Sequence, residues 1–269
     1  RVFVKIVTWN INSVRIRLDQ LSEVINELDP DIICLQETKC DNTNFPLKEI
    51  QSLGYKYIAI NGQPSYNGVA IISRLKFTEV INKDFYNKND CRYIGAKFRY
   101  SKINDDILVH NFYVPAGGDE PNPQINAKFL HKLEFLDEMS SYLKKQFIEN
   151  SHHVIVGDMN IAPHINDVWS HKQLINVVSH TDIERNKITN IIQDNQLIDI
   201  MRYNVADEEK IFSWWSYRNR DWKKSNRGRR LDHIWVTKDL AEHYRDHSIY
   251  RTTRDFKRPS DHVPVMVEV

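Results

Sequence analysis

The stretch His153-Val154-Ile155-Val156-Gly157-Asp158-Met159-Asn160 decides how this chain folds and where its chemistry lies. A short apolar run, typical of a buried strand, reaches a glycine and is followed by a carboxylate and an amide. A strand that ends in this way presents polar side chains at its carboxyl edge, where ligands of α/β sheets bind. Asp158 and Asn160 are therefore the starting point of a candidate site.

Polar residues border other apolar runs of the chain in the same manner. The run Val4 to Trp9 leads into one polar residue, and the runs Ile32 to Leu35 and Ile107 to Phe112 lead into others. Two further polar clusters near the carboxyl terminus precede apolar runs. The polar residues concerned are Asn10, Glu37, Tyr113, Asp158, Asp232 and His262. Their spread over the whole length predicts one composite site.

Composition limits the class of protein. The 269 residues are 41% apolar and carry a formal charge of +1, which suits a single domain over 1–269 with a sizeable core. No apolar run approaches the roughly 20 residues that cross a bilayer, so we expect no membrane association. The 3 cysteines show neither a metal spacing nor an even count. A reducing compartment fits best, and we expect a cytoplasmic protein.

Apolar periodicity predicts few helices among many short strands. Helices are expected over about 16–28, over about 126–148, and from near Thr181, where Thr181 and Glu184 have the spacing of a capping box. Further predicted strands are Tyr55 to Ile60, Val69 to Ser73 and Ile94 to Tyr100. This ratio argues against a regular βαβ repeat. It favours an α/β fold in which helices flank two packed sheets.

A cationic segment interrupts the even balance of charge. Its basic residues are Arg218, Arg220, Lys223, Lys224, Arg227, Arg229 and Arg230, and its tryptophans are Trp214, Trp215 and Trp222. Cations interleaved with aromatic rings suit a phosphate backbone with exposed bases or sugars. A solvated basic loop is the alternative interpretation.

The ordered set of motifs resembles one protein family over essentially the full chain. The motifs are Trp9-Asn10-Ile11-Asn12, Leu35-Gln36-Glu37-Thr38-Lys39, Phe112-Tyr113-Val114-Pro115, Gly157-Asp158-Met159-Asn160, Arg230-Leu231-Asp232-His233 and Ser260-Asp261-His262. They resemble the exonuclease III family of apurinic/apyrimidinic endonucleases, in the endonuclease/exonuclease/phosphatase superfamily. The resemblance implies a four-layer α-β-β-α sandwich, with two packed mixed β-sheets flanked by helices.

The same resemblance implies a function. We expect Mg²⁺-dependent hydrolysis of the phosphodiester 5′ to abasic sites in double-stranded DNA, with Mn²⁺ as a substitute cation. Action on blocked 3′ ends, through 3′–5′ exonuclease and 3′-phosphatase or phosphodiesterase activity, is also implied. The expected enzyme is a monomeric, bacterial-type, nucleoid-associated protein of base excision repair.

Phosphodiester hydrolysis needs an activated water and stabilisation of charge on the phosphoryl and leaving oxygens. A hard cation held by oxygen ligands supplies this stabilisation. Glu37 is the leading ligand, and the resemblance implies that Asn10 and Asp261 complete or flank the metal site. The remaining metal candidates are Asp158, Asn160 and His262.

Two residues can activate the attacking water. Asp158 can do so directly, positioned by Asn160, whereas His262 and Asp232 form an acid/base pair. We expect Asp158 beside the water and His262 either on the phosphate or as the proton acceptor. Tyr113 is expected to give its hydroxyl to the phosphate, and Asn160 its amide to the developing oxyanion.

A small apolar pocket is expected next to this centre. The resemblance implies that Trp214 and Leu231, supported by Trp215, accept a base-less sugar and exclude a stacked base. Arg218 is expected to penetrate the DNA stack. The candidates for contacts with the DNA backbone are Arg92, Asn226 and Lys39.

Two departures from the family pattern leave the balance of activities open. Ala116 stands where relatives usually carry an amide residue. Arg229 replaces an apolar or aromatic residue at the pocket rim, which could favour a charged 3′ end over a bare abasic sugar. Two other classes also stay open: a phosphatase or lipid phosphodiesterase of the same superfamily, and a DNA-binding module without activity.

Overall fold

The computed structural model describes residues 3–101, 105–149 and 152–269. The strands are β1 (Lys5–Asn10), β2 (Ile32–Gln36), β3 (Tyr57–Asn61), β4 (Val69–Ser73), β5 (Phe77–Asn82), β6 (Tyr93–Tyr100), β7 (Asp105–Tyr113), β8 (His152–Asp158), β9 (Ile198–Asp199), β10 (Trp214–Trp215), β11 (Gly228–Arg229), β12 (Asp232–Val236), β13 (Asp246–Ile249) and β14 (Val265–Glu268). The α-helices are α1 (Leu18–Leu28), α2 (Leu47–Ser52), α3 (Ala127–Glu149), α4 (His171–Leu174), α5 (Asp182–Asp194), α6 (Ile200–Tyr203), α7 (Trp222–Ser225) and α8 (Lys238–Ala241). Short 3₁₀ helices cover Arg15–Arg17 and Arg251–Asp255.

Two six-stranded sheets form the centre of the fold. Their orders are β13-β14-β1-β2-β4-β3 and β5-β6-β7-β8-β12-β9, and β10 and β11 form a separate two-stranded ribbon. Strands β1 and β2 are parallel in the first sheet, as are β7 and β8 in the second. Their neighbours run antiparallel, so both sheets are mixed. The predicted α/β fold class is confirmed.

Three apolar layers explain the order of helices and sheets. Between the sheets, side chains of one such as Ile71 meet those of the other such as Val109 and Val156. The outer face of the first sheet packs against α1, and that of the second against α3 and α5. Full burial of each large aliphatic side chain contributes about 1.5–3 kcal/mol, so these layers favour the α-β-β-α arrangement.

The predicted helices form close to their expected positions. The first begins as a 3₁₀ turn and ends at Leu28, where Asp29 takes a left-handed φ of 47° and donates its N–H to the Ile25 carbonyl. Helix α5 begins with the expected capping box of Thr181 and Glu184. Among the helices of the described residues, none is long and apolar enough to span a membrane.

The sequence had suggested that the strand ends at Gly157. In the structure, β8 continues through Gly157 to Asp158. Its φ is 145°, and a Cβ atom there would lie 1.9 Å from the carbonyl oxygen of Phe112 on β7. Only glycine allows this close approach. In the register of β8 with β12, Asp158 then lies opposite Asp232. Gly157 thus allows β8 to pack closely against β7, and the β8–β12 register sets the two carboxylates side by side.

Candidate active site

Strand ends from both sheets meet at one edge of the sandwich. The carboxyl ends of β2, β7 and β8 place polar side chains along one cavity of about 570 Å³, while Asn10 at the end of β1 and Asp232 at the start of β12 are fully buried and do not line it. The predicted residues that line it are Glu37, Tyr113, Asp158, Asn160, Asp261, His262, Trp214, Arg218 and Leu231.

Asn10 connects the two sheets at the base of this cavity. Its buried amide nitrogen donates to Oε1 of Glu37 at 2.8 Å and to Oδ2 of Asp158 at 2.9 Å. Its side-chain oxygen, Oδ1, accepts the backbone N–H of Asn12 at 3.1 Å. One amide thus fixes the separation of two carboxylates that come from different sheets.

Glu37 is held by several donors and still faces the cavity. Tyr113 donates its hydroxyl to Oε1 at 2.9 Å, and the Lys39 ammonium lies 2.9 Å from Oε2. Burial alone would raise the pKa of Glu37, but the Asn10 hydrogen bond and the Lys39 charge lower it below its ordinary value. The side chain is therefore a carboxylate at neutral pH, and it is 20% exposed.

Asp158 and Asn160 form a compact turn at the end of β8. The Asn160 N–H donates to Oδ1 of Asp158 at 2.9 Å, and Asn160 Nδ2 donates to the Val114 carbonyl at 2.8 Å. Asn160 adopts a left-handed φ of 51°, which asparagine tolerates better than most residues. This turn directs both side chains to the cavity.

His262 lies between two buried carboxylates. Its Nδ1 atom donates to Oδ2 of Asp232 at 2.8 Å, and its Nε2 atom lies 3.5 Å from Oδ2 of Asp158. Ser213 also donates its hydroxyl to Oδ2 of Asp232, at 2.7 Å, and accepts the Leu231 N–H at 3.0 Å. Asp232 therefore fixes the ring orientation, and Nε2 is the atom left to face the reaction centre.

Burial and charge together shift the pKa values of this pair. Burial raises the pKa of Asp158 to about 7, although the His262 charge opposes the shift. Burial by itself would lower the pKa of His262, but the charges of Asp232 and Asp158 outweigh it and raise that pKa. The imidazolium form of His262 is thus favoured at neutral pH, and Asp158 is the group able to take up a proton.

The donor set around Glu37 suits a hard cation better than the buried triad does. Asp158, Asp232 and His262 lie close enough to share an ion, but His262 Nδ1 already donates to Asp232 at 2.8 Å. An ion bound through Nδ1 would have to replace that hydrogen bond. Glu37 and Asp261 instead present oxygens to the open cavity, which matches the ligands and the retained waters of Mg²⁺.

The two adjacent tryptophans face opposite ways. Trp214 lines the cavity with Leu231, and its indole N–H donates to Oδ2 of Asp261 at 2.9 Å. Trp215 is fully buried against Phe212 and Trp222 and does not line the cavity. Successive residues of a strand point to opposite faces, so both cannot form one pocket wall. Trp215 instead belongs to the neighbouring apolar cluster with Phe212, Trp222 and Val263.

Two predicted DNA contacts lie away from the cavity. Arg92 stacks over the Tyr113 ring at 4.8 Å and lines a neighbouring depression that also contains Lys128. The Asn226 Oδ1 atom accepts from Trp215 Nε1 at 3.1 Å and from Arg251 at 3.1 Å. Its left-handed φ of 43° ends α7, so the side chain serves the local turn. Asn226 does not line the cavity, and as an exposed residue it stays a predicted contact with the DNA backbone.

Sequence reasoning missed a buried ion pair behind the site. Lys132 Nζ lies 2.5 Å from Oε1 of Glu184, and both side chains have zero exposure. Lys132 also donates to the Asn160 carbonyl at 2.8 Å. A signal was present, because Lys132 lies three residues after Phe129 on the apolar face of α3. A charged residue on such a face indicates a buried partner.

The fold and the site together define a hydrolase whose polar centre lies at the edge of a four-layer sandwich. Residues 7–262 match the model of the Endonuclease/Exonuclease/phosphatase family. The chain belongs to this family, and within it to the group of exonuclease III homologues. It is a nuclease.

Two curated relatives cover nearly the whole chain. Exodeoxyribonuclease III of Haemophilus influenzae is 30% identical over 98% of this chain and 99% of its own length. The exodeoxyribonuclease of Bacillus subtilis is 28% identical, with 97% of each chain covered.

Solved structures agree with these relatives. A 3′ phosphatase from Neisseria, bound to a product DNA hairpin, superimposes with a TM-score of 0.88 at 30% identity over 98% of both chains. An AP endonuclease from Archaeoglobus fulgidus gives 0.88 at 33% identity, again with 98% of both chains covered. These proteins give no support to a lipid phosphodiesterase or to an inactive binding module.

Proposed function

We propose that this protein is a Mg²⁺-dependent DNA repair nuclease that hydrolyses the phosphodiester 5′ to abasic sites in duplex DNA. The proposal extends to blocked 3′ ends, through 3′–5′ exonuclease and 3′-phosphatase or phosphodiesterase action. One monomer, with 1–269 as its single domain, carries the activity. The observation that carries the proposal is one cavity that is lined both by Glu37, Asp158 and His262 and by the apolar side chains of Trp214 and Leu231.

Oxygen ligands at the cavity suit a resident divalent cation. Glu37 would hold it, with Asp261 and the Asn10 carbonyl oxygen completing or flanking the site. Bound there, Mg²⁺ supplies neutralisation of charge on the phosphoryl and leaving oxygens. Mn²⁺ accepts the same oxygen ligands and should substitute.

Side chains of the protein accept the proton of the water and contact the phosphate. Asp158 accepts the proton of the attacking water, because its pKa lies near neutral pH and its neighbour His262 is already protonated. His262 donates from Nε2 to a phosphoryl oxygen while Asp232 holds its ring. Tyr113 and Asn160 give a hydroxyl and an amide to the same phosphate.

The apolar end of the cavity selects the nucleotide. Trp214 and Leu231 form a wall that a base-less sugar can contact, while a stacked base has no room to enter. Arg218 is exposed at the rim of the same cavity. In this proposal it enters the DNA stack, and Arg92 and Lys39 contact the phosphate backbone.

The experiment uses the chain of residues 1–269 and a synthetic duplex with one tetrahydrofuran abasic site. With Mg²⁺ we expect a single incision 5′ to the site, which EDTA abolishes and added Mg²⁺ restores. Glu37→Ala and Asp158→Ala should each lower the rate by about a hundredfold or more. Glu208→Gln is the matched control, because Glu208 is exposed and does not line the cavity.

Two outcomes would overturn the proposal. One is an intact abasic duplex with wild-type protein in Mg²⁺ or Mn²⁺. The other is faster turnover of sphingomyelin or an inositol phosphate than of DNA, which would assign the cavity to a different phosphoester.

A further inference from the structure

Arg229 occupies a defined place on the wall of the cavity. It pairs with Trp214 in the β10–β11 ribbon, and its guanidinium lies 5.3 Å from the centre of the Trp214 ring. Its Nη1 atom donates to the Val178 carbonyl at 3.1 Å and to the Ser179 hydroxyl at 2.7 Å. Ring stacking on one side and two hydrogen bonds on the other fix the plane of the guanidinium.

The positive charge of Arg229 has no partner of its own. Among the described residues no carboxylate forms an ion pair with it, and the acidic group that acts on it, Glu184, is paired with Lys132 at 2.5 Å. Burial lowers the pKa of Arg229, yet a guanidinium stays charged in proteins. A half-buried cation without a counter-ion is costly, so the site favours an anion from outside the chain.

The geometry leaves donors available for such an anion. Nη1 donates its two N–H groups to the Val178 carbonyl and the Ser179 hydroxyl. Nε and Nη2 make no hydrogen bond within the described part of the chain. Arg229 lines the same cavity as Leu231 and the catalytic carboxylates. A group bound there lies beyond the scissile phosphate, on the side of the sugar pocket.

Building on the proposed function, we propose that Arg229 forms an anion-binding subsite in the sugar pocket. It gives the enzyme a preference for 3′-terminal fragments that carry a carboxylate or phosphate beyond the scissile phosphate, over a neutral base-less sugar. In the reaction one water adds to phosphorus and the bond from phosphorus to the 3′ oxygen breaks. That oxygen keeps the electron pair and takes a proton, and the fragment leaves as its phosphate monoester.

The test compares three duplexes of one sequence. The first ends in a 3′-phosphoglycolate, whose terminal group is a carboxylate. The second ends in a 3′-phospho-hydroxyethyl ester of similar size, whose terminal group is uncharged. The third carries an internal tetrahydrofuran site. For the wild-type protein we expect kcat/KM for glycolate to exceed that for hydroxyethyl by about tenfold or more, the usual effect of charge-assisted hydrogen bonds. Arg229→Gln should bring that ratio to within about twofold, chiefly by lowering kcat/KM for the glycolate duplex.

Two further variants separate a specific role from a general loss. Arg220→Gln removes a charge from the same basic segment outside the cavity, and should lower all three rates equally with the ratio unchanged. Arg229→Lys keeps the charge without the planar fork and should retain part of the preference. Thermal unfolding of each variant checks that it is folded.

Equal wild-type rates on glycolate and hydroxyethyl, or an unchanged ratio in Arg229→Gln, would overturn the subsite while leaving the nuclease proposal in place. If the wild-type protein cleaved none of the three duplexes, both proposals would fall together.

Discussion

The Nε2 atom of His262 lies 3.5 Å from Oδ2 of Asp158. His262 lies near the carboxyl terminus and Asp158 near the middle of the chain, yet both are almost fully buried, at 4% and 1% exposure. Their separation is too long for a strong hydrogen bond but short enough for close electrostatic coupling. A phosphoryl oxygen bound beside Nε2 would contact a cation, and a water beside Oδ2 would contact a proton acceptor, within one small site.

The first prediction concerns the residue that orients His262. Asp232→Asn keeps the size of the side chain but removes the charge that favours the imidazolium, so we expect kcat to fall by about 10²–10⁴-fold with a smaller change in KM. Single-turnover cleavage of the abasic duplex measures this. Ser213→Ala, which removes the hydroxyl bonded to Asp232 but leaves the Asp232 charge in place, should cost far less. A kcat within about twofold of wild type in Asp232→Asn would remove Asp232 from the mechanism.

The second prediction concerns the cation. Glu37→Gln keeps a ligand oxygen but loses the negative charge, so the Mg²⁺ concentration for half-maximal activity should rise by at least about tenfold. A Mg²⁺ titration of the cleavage rate measures the shift, with Glu208→Gln as control. An unchanged titration curve would move the cation site away from Glu37.

The third prediction concerns the ion pair of Lys132 and Glu184. Lys132→Met leaves a buried carboxylate without its partner, which should lower the free energy of unfolding by about 3–5 kcal/mol. Adding Glu184→Gln removes that charge as well and should recover part of the loss, a coupling that a double-mutant cycle measures by denaturant unfolding. Simple additivity of the two losses would argue against a coupled pair.

The fourth prediction concerns pH and stability. His110 is fully buried, and its two ring nitrogens are hydrogen-bonded to the Tyr93 hydroxyl at 2.8 Å and to His153 Nδ1 at 3.0 Å. Burial lowers the pKa of His110 well below 6.5. Below pH 6.5, the ordinary pKa of histidine, this residue binds a proton in the unfolded chain but stays neutral in the folded chain. Stability is therefore fully present above pH 6.5 and is lost as the pH falls, by up to about 1.4 kcal/mol per pH unit.

His110→Gln should flatten this loss relative to wild type between the ordinary and the lowered pKa. Denaturant unfolding at several pH values gives the two slopes. The same slope in both proteins would assign the acid sensitivity to other groups.

The sequence predicted the elements whose signals are local. Strand β4 occurs at its predicted residues, and the capping box of Thr181 and Glu184 begins α5 as expected. Such features depend on apolar runs and on caps within a few residues, so one stretch of chain contains all the information. The short ribbon of β10 and β11 escaped prediction because two-residue strands leave no periodic pattern.

By itself the sequence predicted the strand ends near Asn10, Glu37 and Asp158 from local apolar runs, and the order of its motifs indicated the family. Only the tertiary structure decided which of these side chains touch. Asn10 and Asp158 are separated by 148 positions, and whether Trp214 or Trp215 faces the cavity depends on the pairing of distant strands. Local sequence patterns indicate where a strand lies. Whether a charge such as that of Arg229 has an ionic partner depends on which distant residues pack around it in the folded chain.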